Sequence, residues 1–357
     1  MKMFAPALLV CVLLSGCAKQ EIIDRVKILQ SVGFDVQGDT FKASGAYASY
    51  RKQGRVQLLT AETQTFSGVW LPHNTKSDEQ VVVGQLRTFV ISEKFARRSI
   101  QELASDLLRD PVISNNATVV ICKHEVSAIM SQTLKNPPFY LSDLIKQNIE
   151  TGNTPYTNTH LLLDQYYGEG QDVYLPALDQ DEKGLLRMDG VGVFKDDKLR
   201  LWLTDKETLF LKLLKDKSKT MTGAYEFSAK QKEPVYFRII QGKRNISPEQ
   251  NDTAVISLKL DIDLKALPKT KSSVDKSDLH EIKQDIEQHL SSEISALLKK
   301  LQKNDVDPIG FGEIFRSKDR SWNEQEFKNI TYPNIKFEVN TKIMISHTGV
   351  GIGAEQR

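Results

Sequence analysis

Ile256-Ser257-Leu258-Lys259-Leu260-Asp261-Ile262-Asp263-Leu264 alternates apolar and polar side chains without a break. Successive side chains of a strand point to opposite faces, so this stretch has one dry face and one wet face, and the dry face needs an apolar partner. The partner follows directly. From Ser277 to Lys303, the residues Leu279, Ile282, Ile286, Leu290, Ile294, Leu297, Leu298 and Leu301 form one stripe at helical spacing. At about 1.5 Å per residue such a helix is about 40 Å long, enough to cross a sheet. Ile335, Phe337, Val339, Thr341, Ile343 and Ile345 then alternate again. Strand, long amphipathic helix and closing strand predict an α+β domain with the helix packed on the sheet.

Upstream, Leu186 to Phe194 and Leu199 to Leu203 flank Lys195-Asp196-Asp197-Lys198, which predicts a hairpin with a polar turn. A helix begins at once. Thr204 is its cap, Glu207 reaches back as in a capping box, and Leu209, Phe210, Leu213 and Leu214 supply the buried face. Lys215 to Thr220 reads as a charged linker.

The first half is mixed α and β. Val26 to Asp35, Thr40 to Ser49, Arg55 to Phe66 and Val81 to Ile91 read as strands. A helix carrying Ile100, Leu103, Leu107 and Leu108 stops at Arg109-Asp110-Pro111. Ala117 to Cys122 is a buried strand, with short helices from Val126 and from Leu141. Thr151-Gly152-Asn153-Thr154-Pro155 is a breaker cluster and a plausible subdomain edge near 151–155. The expected whole is multidomain α+β, with mixed and antiparallel sheets flanked by helices.

The chain has 357 residues, 40% hydrophobic and 26% charged, which fits two or three folded domains. Its 48 Lys and Arg nearly balance 46 Asp and Glu, so no global field collects a polyanion, and a dedicated nucleic-acid binder is disfavoured. Lys195 to Arg244 holds 13 basic against 7 acidic residues. Those charges are spread over turn, helix and strand, as on a solvated face, although a tethered protein could turn them toward anionic lipid.

Lys2 precedes an apolar run from Phe4 to Leu14, the charged and apolar regions of a secretory signal, too short for a permanent span. Leu14-Ser15-Gly16-Cys17 follows and reads as a bacterial lipobox. Residues 1–16 are then a signal peptide, Cys17 is the lipid anchor carrying N-acyl and S-diacylglycerol groups, and 17–25 is a lipidated stalk. Each buried methylene contributes about 0.8 kcal/mol, so several chains tether firmly where one binds marginally. The body divides into an N-terminal region, 26–203, and a C-terminal domain, 216–357. Cys11 leaves with the signal, so Cys122 has no intramolecular disulfide partner once Cys17 is acylated. Its place in an apolar run reads as a buried structural thiol rather than a nucleophile.

Few patterns point to catalysis. His73, His124, His160, His280, His289 and His347 form no His-Glu-x-x-His, and no cysteines pair for a metal. There is no Gly-x-Ser-x-Gly elbow and no phosphate loop, and Gly190-Val191-Gly192 lacks a third glycine. Asp305-Val306-Asp307-Pro308-Ile309-Gly310 begins like a calcium loop, but Ile309 and Arg316 stand where oxygen ligands belong. The expectation is a tight helix exit in which Pro308 stops the helix and Gly310 and Gly312 take positive φ. Trp70, Trp202 and Trp322 read as packing residues, and His280 and His289 as residues at the boundary of the long helix. No catalytic residue, cofactor or metal is assigned.

Several of these segments, in order, resemble one family. They are the lipobox at Cys17, Gly84-Gln85-Leu86-Arg87 leading to Ile91-Ser92-Glu93-Lys94-Phe95-Ala96, Leu108-Arg109-Asp110-Pro111, Gly192-Val193-Phe194-Lys195-Asp196-Asp197-Lys198-Leu199, Asp307-Pro308-Ile309-Gly310-Phe311-Gly312, and Trp322. Together they are similar to the Ger(x)C family, the lipoprotein C subunits of spore nutrient germinant receptors. After the lipid cysteine that family often has Trp, where this chain has Ala18-Lys19. The resemblance implies a non-enzymatic assembly or signalling module on the outer face of the spore inner membrane, held by Cys17 and partnered by integral-membrane A and B subunits. A free-standing solute-binding lipoprotein is the alternative.

Overall fold

The computed structural model describes residues 25–49, 54–216, 221–228, 234–249, 252–266 and 276–347. Cys17, the expected stalk and the C-terminal tail lie outside the described residues.

A nine-stranded sheet occupies the first half. β1 (Val26–Gln37), β2 (Thr40–Ser49) and β3 (Arg55–Thr63) form an antiparallel meander. A short helix α1 (Trp70–Thr75) leads to β4 (Gln80–Val82), which runs parallel to the start of β1. The sheet then grows on the other side of β1 through β5 (Thr88–Ser92) and β6 (Thr118–Cys122), both parallel to it. β7 (Tyr174–Gln180) continues in parallel, and β8 (Leu186–Lys195) and β9 (Lys198–Leu203) close the edge as an antiparallel hairpin. Thus the strand expected over Val81 to Ile91 is two strands. The chain turns through Gly84-Gln85, with the Leu86 N–H donating to the Val83 carbonyl at 2.9 Å, before β5 begins.

Helices cover both faces of the central strands. α2 (Glu93–Arg98), α3 (Gln101–Arg109) and α6 (Thr159–Tyr167) lie over Phe89, Ile91, Val119 and Ile121. α4 (Val126–Thr133) and α5 (Tyr140–Glu150) lie over Val90, Val120 and Cys122. A strand buried on both faces needs apolar residues at every position, which is why β5 and β6 do not alternate. On α3 the stripe is narrower than expected. Leu103 and Leu107 are buried but Leu108 is 60% exposed, because residue 108 has turned away from the sheet.

β9 passes into α7 (Asp205–Lys215), whose Thr204–Glu207 capping box forms as expected. This helix is buried nearly all round, including Thr208, Leu211 and Lys212 beyond the expected apolar face. It packs against β8 and β9 as well as the second sheet and its helix. That second sheet has the order β10 (Gly223–Ser228), β11 (Pro234–Glu249), β12 (Thr253–Ala266) and β13 (Lys336–His347). α8 (Lys276–Lys303) is the crossover that makes β13 parallel to β12. Ile286, Leu290, Ile294, Leu298 and Leu301 of α8 meet Ile256, Leu258, Leu260 and Ile262 of β12 in one core, as the two periodicities require.

Candidate functional site

The exit of α8 and the segment before β7 meet at the junction of the two sheets. Asp305 takes a left-handed conformation, φ 55°, and Gly310 another, φ 85°. Between them the buried Asp307 turns its carboxylate onto the backbone. One oxygen accepts the Gly310 N–H at 2.9 Å and the other the Gly312 N–H at 3.0 Å, at the start of α9 (Phe311–Arg316). The acid is therefore engaged as a cap for the turn. Gly312 differs from expectation. It is helical, and its missing side chain serves close approach: a Cβ there would stand 2.6 Å from Gly170 Cα. Asp305, not Gly312, supplies the second positive φ.

The other half of the joint is Gly170-Gln171-Asp172. Asp172 N–H donates to the Asp307 carbonyl at 2.9 Å, and the Asp172 carboxylate accepts the Asp307 N–H at 2.6 Å. Gly170 carbonyl accepts the Glu313 N–H at 3.0 Å, and Gly170 N–H donates to Glu324 at 3.2 Å. Lys195, in the β8–β9 turn, pairs with Asp305 at 3.0 Å, and Asp197 of the same turn accepts the Ile100 N–H at 2.8 Å. The Lys195–Lys198 segment thus ties α3 to the exit of α8. Lys215 donates to the Ile309 carbonyl at 3.2 Å, and Lys300 pairs with both oxygens of Glu207 at 2.8 Å.

Burial dominates the electrostatics. It raises the Asp307 carboxyl to about 6, even though backbone N–H groups pull the other way. It also raises Asp172, against the Asp307 N–H and the more distant Lys195 and Lys328. The arrangement can hold two domains in one orientation. It presents no nucleophile with an adjacent base.

The remaining candidates are structural in their contacts. Cys122 is fully buried, its thiol donates to the His124 carbonyl at 3.0 Å, and burial pushes it up to about 12. Trp202 donates to Glu93 at 3.2 Å, and Trp322 packs on Phe327 at 5.9 Å between ring centres. His289 stacks on Phe227 at 4.2 Å and shares a hydrogen bond of 3.1 Å with Tyr225, at the boundary of α8, and burial lowers its pKa. His280 contacts Gln284 at 2.9 Å on the same helix. Cys17 lies outside the described residues. Apart from the joint, a groove of about 660 Å³ lies between α5 and the end of α7, lined by Arg87, Ala117, Ile149, Tyr156, Lys212 and Asp216 among others.

Sequence reasoning singled out Asp307 and its glycines but missed Gly170 and Asp172. The signal available was an acid beside glycines, in Gly168-Glu169-Gly170-Gln171-Asp172, between a helix and a strand.

Two family profiles match consecutive parts of the chain. The spore germination protein N-terminal domain matches residues 19–180, and the C-terminal profile "Spore germination B3/GerAC like" matches 189–349. The chain is 28% identical over 364 residues to spore germination protein GerQC of Bacillus cereus, covering 98% of this chain and 99% of that one. It is 22% identical over 386 residues to spore germination protein KC of Bacillus subtilis strain 168, covering 96% and 94%. Among solved structures, the GerBC protein superposes with a TM-score of 0.59 at 17% identity, over 88% of this chain and 97% of that one, a likeness of fold.

Proposed function

Because this chain belongs to the GerAC-like spore germination family, as a C subunit of a spore germinant receptor, we propose that it acts as a lipid-tethered, non-enzymatic module that couples a receptor's integral-membrane A and B subunits to nutrient-triggered germination. The chain is anchored through Cys17 on the outer face of the spore inner membrane. Its parts are the stalk 17–25, an N-terminal region 26–203 and a C-terminal domain 216–357.

The observation that carries this reading is the short interval between lipobox and body. Leu14-Ser15-Gly16-Cys17 is followed by a stalk that ends where β1 begins, at Val26. Among the described residues, no helix is long and apolar enough to cross a membrane. A tether at the N-terminus accounts for membrane association without such a span. The joint supports the rest, since a body fixed at Asp172 and Asp307 moves as a unit against its partners.

The test replaces Cys17 with Ala and follows membrane retention together with the germination response. We expect the protein to leave the membrane and nutrient response to fall. Normal germination with the protein lost from the membrane overturns anchorage as a requirement. The groove beside Tyr156 keeps solute capture as a second reading, and titration with amino acids and sugars separates the two. No saturable heat is expected if the chain is an assembly module.

A further inference from the structure

β1 begins before the central strands do. Ser31 pairs with Thr88 at the start of β5, and Thr88 pairs with Thr118 at the start of β6, so Val26 to Gln30 extend beyond the level where β5 and β6 begin, and there Val26, Lys27 and Ile28 are paired with Gln80, Val81 and Val82 of β4. The loops that precede β5 and β6 flank this projection. Leu86, Arg87 and Ala117 are stitched down by backbone hydrogen bonds to Val83, Gln30 and Ser114. Asp110 is fixed as well, its carboxylate accepting the Val112 N–H at 2.9 Å while Pro111 sets the backbone. The turn therefore holds Val112 outward, 55% exposed.

Val112 joins two open grooves. One, of about 570 Å³, is shared with Val26, Ile28, Val81, Val83 and Gly84. The other, of about 750 Å³, is shared with Leu108, Pro111, Leu163 and Tyr167. Leu108 is 60% exposed and Tyr167 52%. Apolar residues thus recur along both grooves from the first strand residue to the end of α6, with Asp110 beside Val112 where the grooves meet. Exposed apolar side chains gathered in one patch mark a contact surface, whereas single ones are ordinary.

We infer that this strip is a membrane-contact surface, in which Leu108, Val112 and Tyr167 rest in the interfacial layer of the bilayer to which the chain is tethered. The inference rests on the lipid-anchor reading above. The chain from Cys17 to Val26 spans at most about 30 Å when fully extended, so the start of β1 is held close to the bilayer, and the strip begins at that tethered end. A tyrosine beside aliphatic residues suits a layer that is wet on one side and apolar on the other. Asp110 and Asp164 line the second groove, while Arg25 and Arg109 adjoin the strip in sequence, so charges of both signs offset one another and the contact is expected to be mainly apolar.

The experiment uses the full, processed chain in vesicles of phosphatidylcholine, with and without phosphatidylglycerol. A polarity-sensitive fluorophore is attached at Val112→Cys, or at Lys342→Cys on the exposed face of the second sheet as control. Spin-labelled lipid should quench the label at 112 several-fold more than the label at 342, equally in both vesicles. Adding Leu108→Ser and Tyr167→Ser should reduce that difference. Mass spectrometry of the same samples reports the N-terminus. A lipidated chain whose two labels are quenched alike overturns the membrane surface while leaving the anchor intact. An unmodified Cys17 overturns the anchor, and the inference with it. Protection at 112 that appears only with the receptor's membrane subunits present assigns the strip to a protein partner and overturns the lipid contact.

Discussion

The Asp307 N–H donates to the Asp172 carboxylate at 2.6 Å while the Asp307 carbonyl accepts the Asp172 N–H at 2.9 Å, a reciprocal pair between residues 135 positions apart. One residue belongs to the lead-in of β7 and the other to the exit of α8, so each sheet's position is specified by the other's backbone. Both carboxyls are buried.

Two buried acids in contact make stability depend on pH. The Asp307 carboxyl is raised to about 6 from the ordinary 3.8, mainly by burial, with the Asp172 charge adding to it. Between about pH 4 and 6 this carboxyl therefore holds more proton in the folded chain than in the unfolded one, and its contribution to stability falls as pH rises through that window. A shift of this size corresponds to about 3 kcal/mol at most. Asp172→Asn keeps an acceptor for the Asp307 N–H and removes the neighbouring charge. Its urea midpoint should vary less between pH 4 and 6 than that of the unaltered protein. Parallel curves would sink this account, because Asp205 and Asp216, whose carboxyls burial also raises, are common to both chains.

Gly312 tests the closeness of the joint. A methyl group there meets Gly170 Cα at 2.6 Å and Gly170 carbonyl oxygen at 2.8 Å, backbone that cannot swing aside. Gly312→Ala should cost about 1–3 kcal/mol in chemical unfolding, the usual range for overpacking. At Gly84 the nearest atom to an added methyl is 3.9 Å away. Gly84→Ala should stay within about 0.5 kcal/mol of the unaltered protein, although both glycines belong to the segments that carry the family resemblance.

What the sequence revealed follows from how local each cause is. The alternation of Ile256 to Leu264 and the stripe of α8 report burial on one face, and the Thr204–Glu207 box sits within one turn, so all were readable. Val81 to Ile91 misled because Val81–Val83 and Thr88–Ile91 are apolar for different reasons. The first lines an edge beside β1, and the second is buried between two helical layers. Leu211 and Lys212 are buried because α7 lies between two sheets, a fact of tertiary arrangement that no helical periodicity encodes. Asp172 stands beside glycines that mark a tight segment, but its partner Asp307 is specified by topology, so the pairing was not readable.

Glu207 serves two elements at once. Its carboxylate accepts the Thr204 N–H at 2.9 Å and pairs with Lys300 of α8 at 2.8 Å. Burial alone would raise this carboxyl, but Lys300 and the Thr204 N–H hold it below the ordinary range. Its contribution is thus present above the unfolded value near 4.5 and is lost as pH falls through the lower folded value. The group is partly exposed, so solvent screens the ion pair. Glu207→Gln keeps an acceptor for the cap and should cost under about 1 kcal/mol, while Glu207→Ala should cost about 1–2 kcal/mol. Thermal unfolding of both variants at neutral pH separates the cap from the pair. Equal losses would mean that the back-reaching cap contributes nothing.

Cys122 makes thiol chemistry a count of two separate properties. Its side chain is fully buried on the β6 face covered by α4 and α5, and its thiol is raised to about 12 by burial, with the Asp35 charge acting in the same direction. Alkylation requires thiolate and access, so iodoacetamide at pH 8 should leave Cys122 untouched in the folded chain. Its labelling rate across a urea series should follow global unfolding. Cys11 is removed with the signal peptide under the proposed processing, and a diacylglycerol thioether at Cys17 cannot be alkylated. A processed chain should therefore label nowhere when folded and at one position when unfolded. Fast labelling of the folded chain at Cys17, located by peptide mapping, would show that the anchor had not formed. Fast labelling at Cys122 would instead show that α4 and α5 open away from β6 under native conditions, and that the two-sided burial of the central sheet is incomplete.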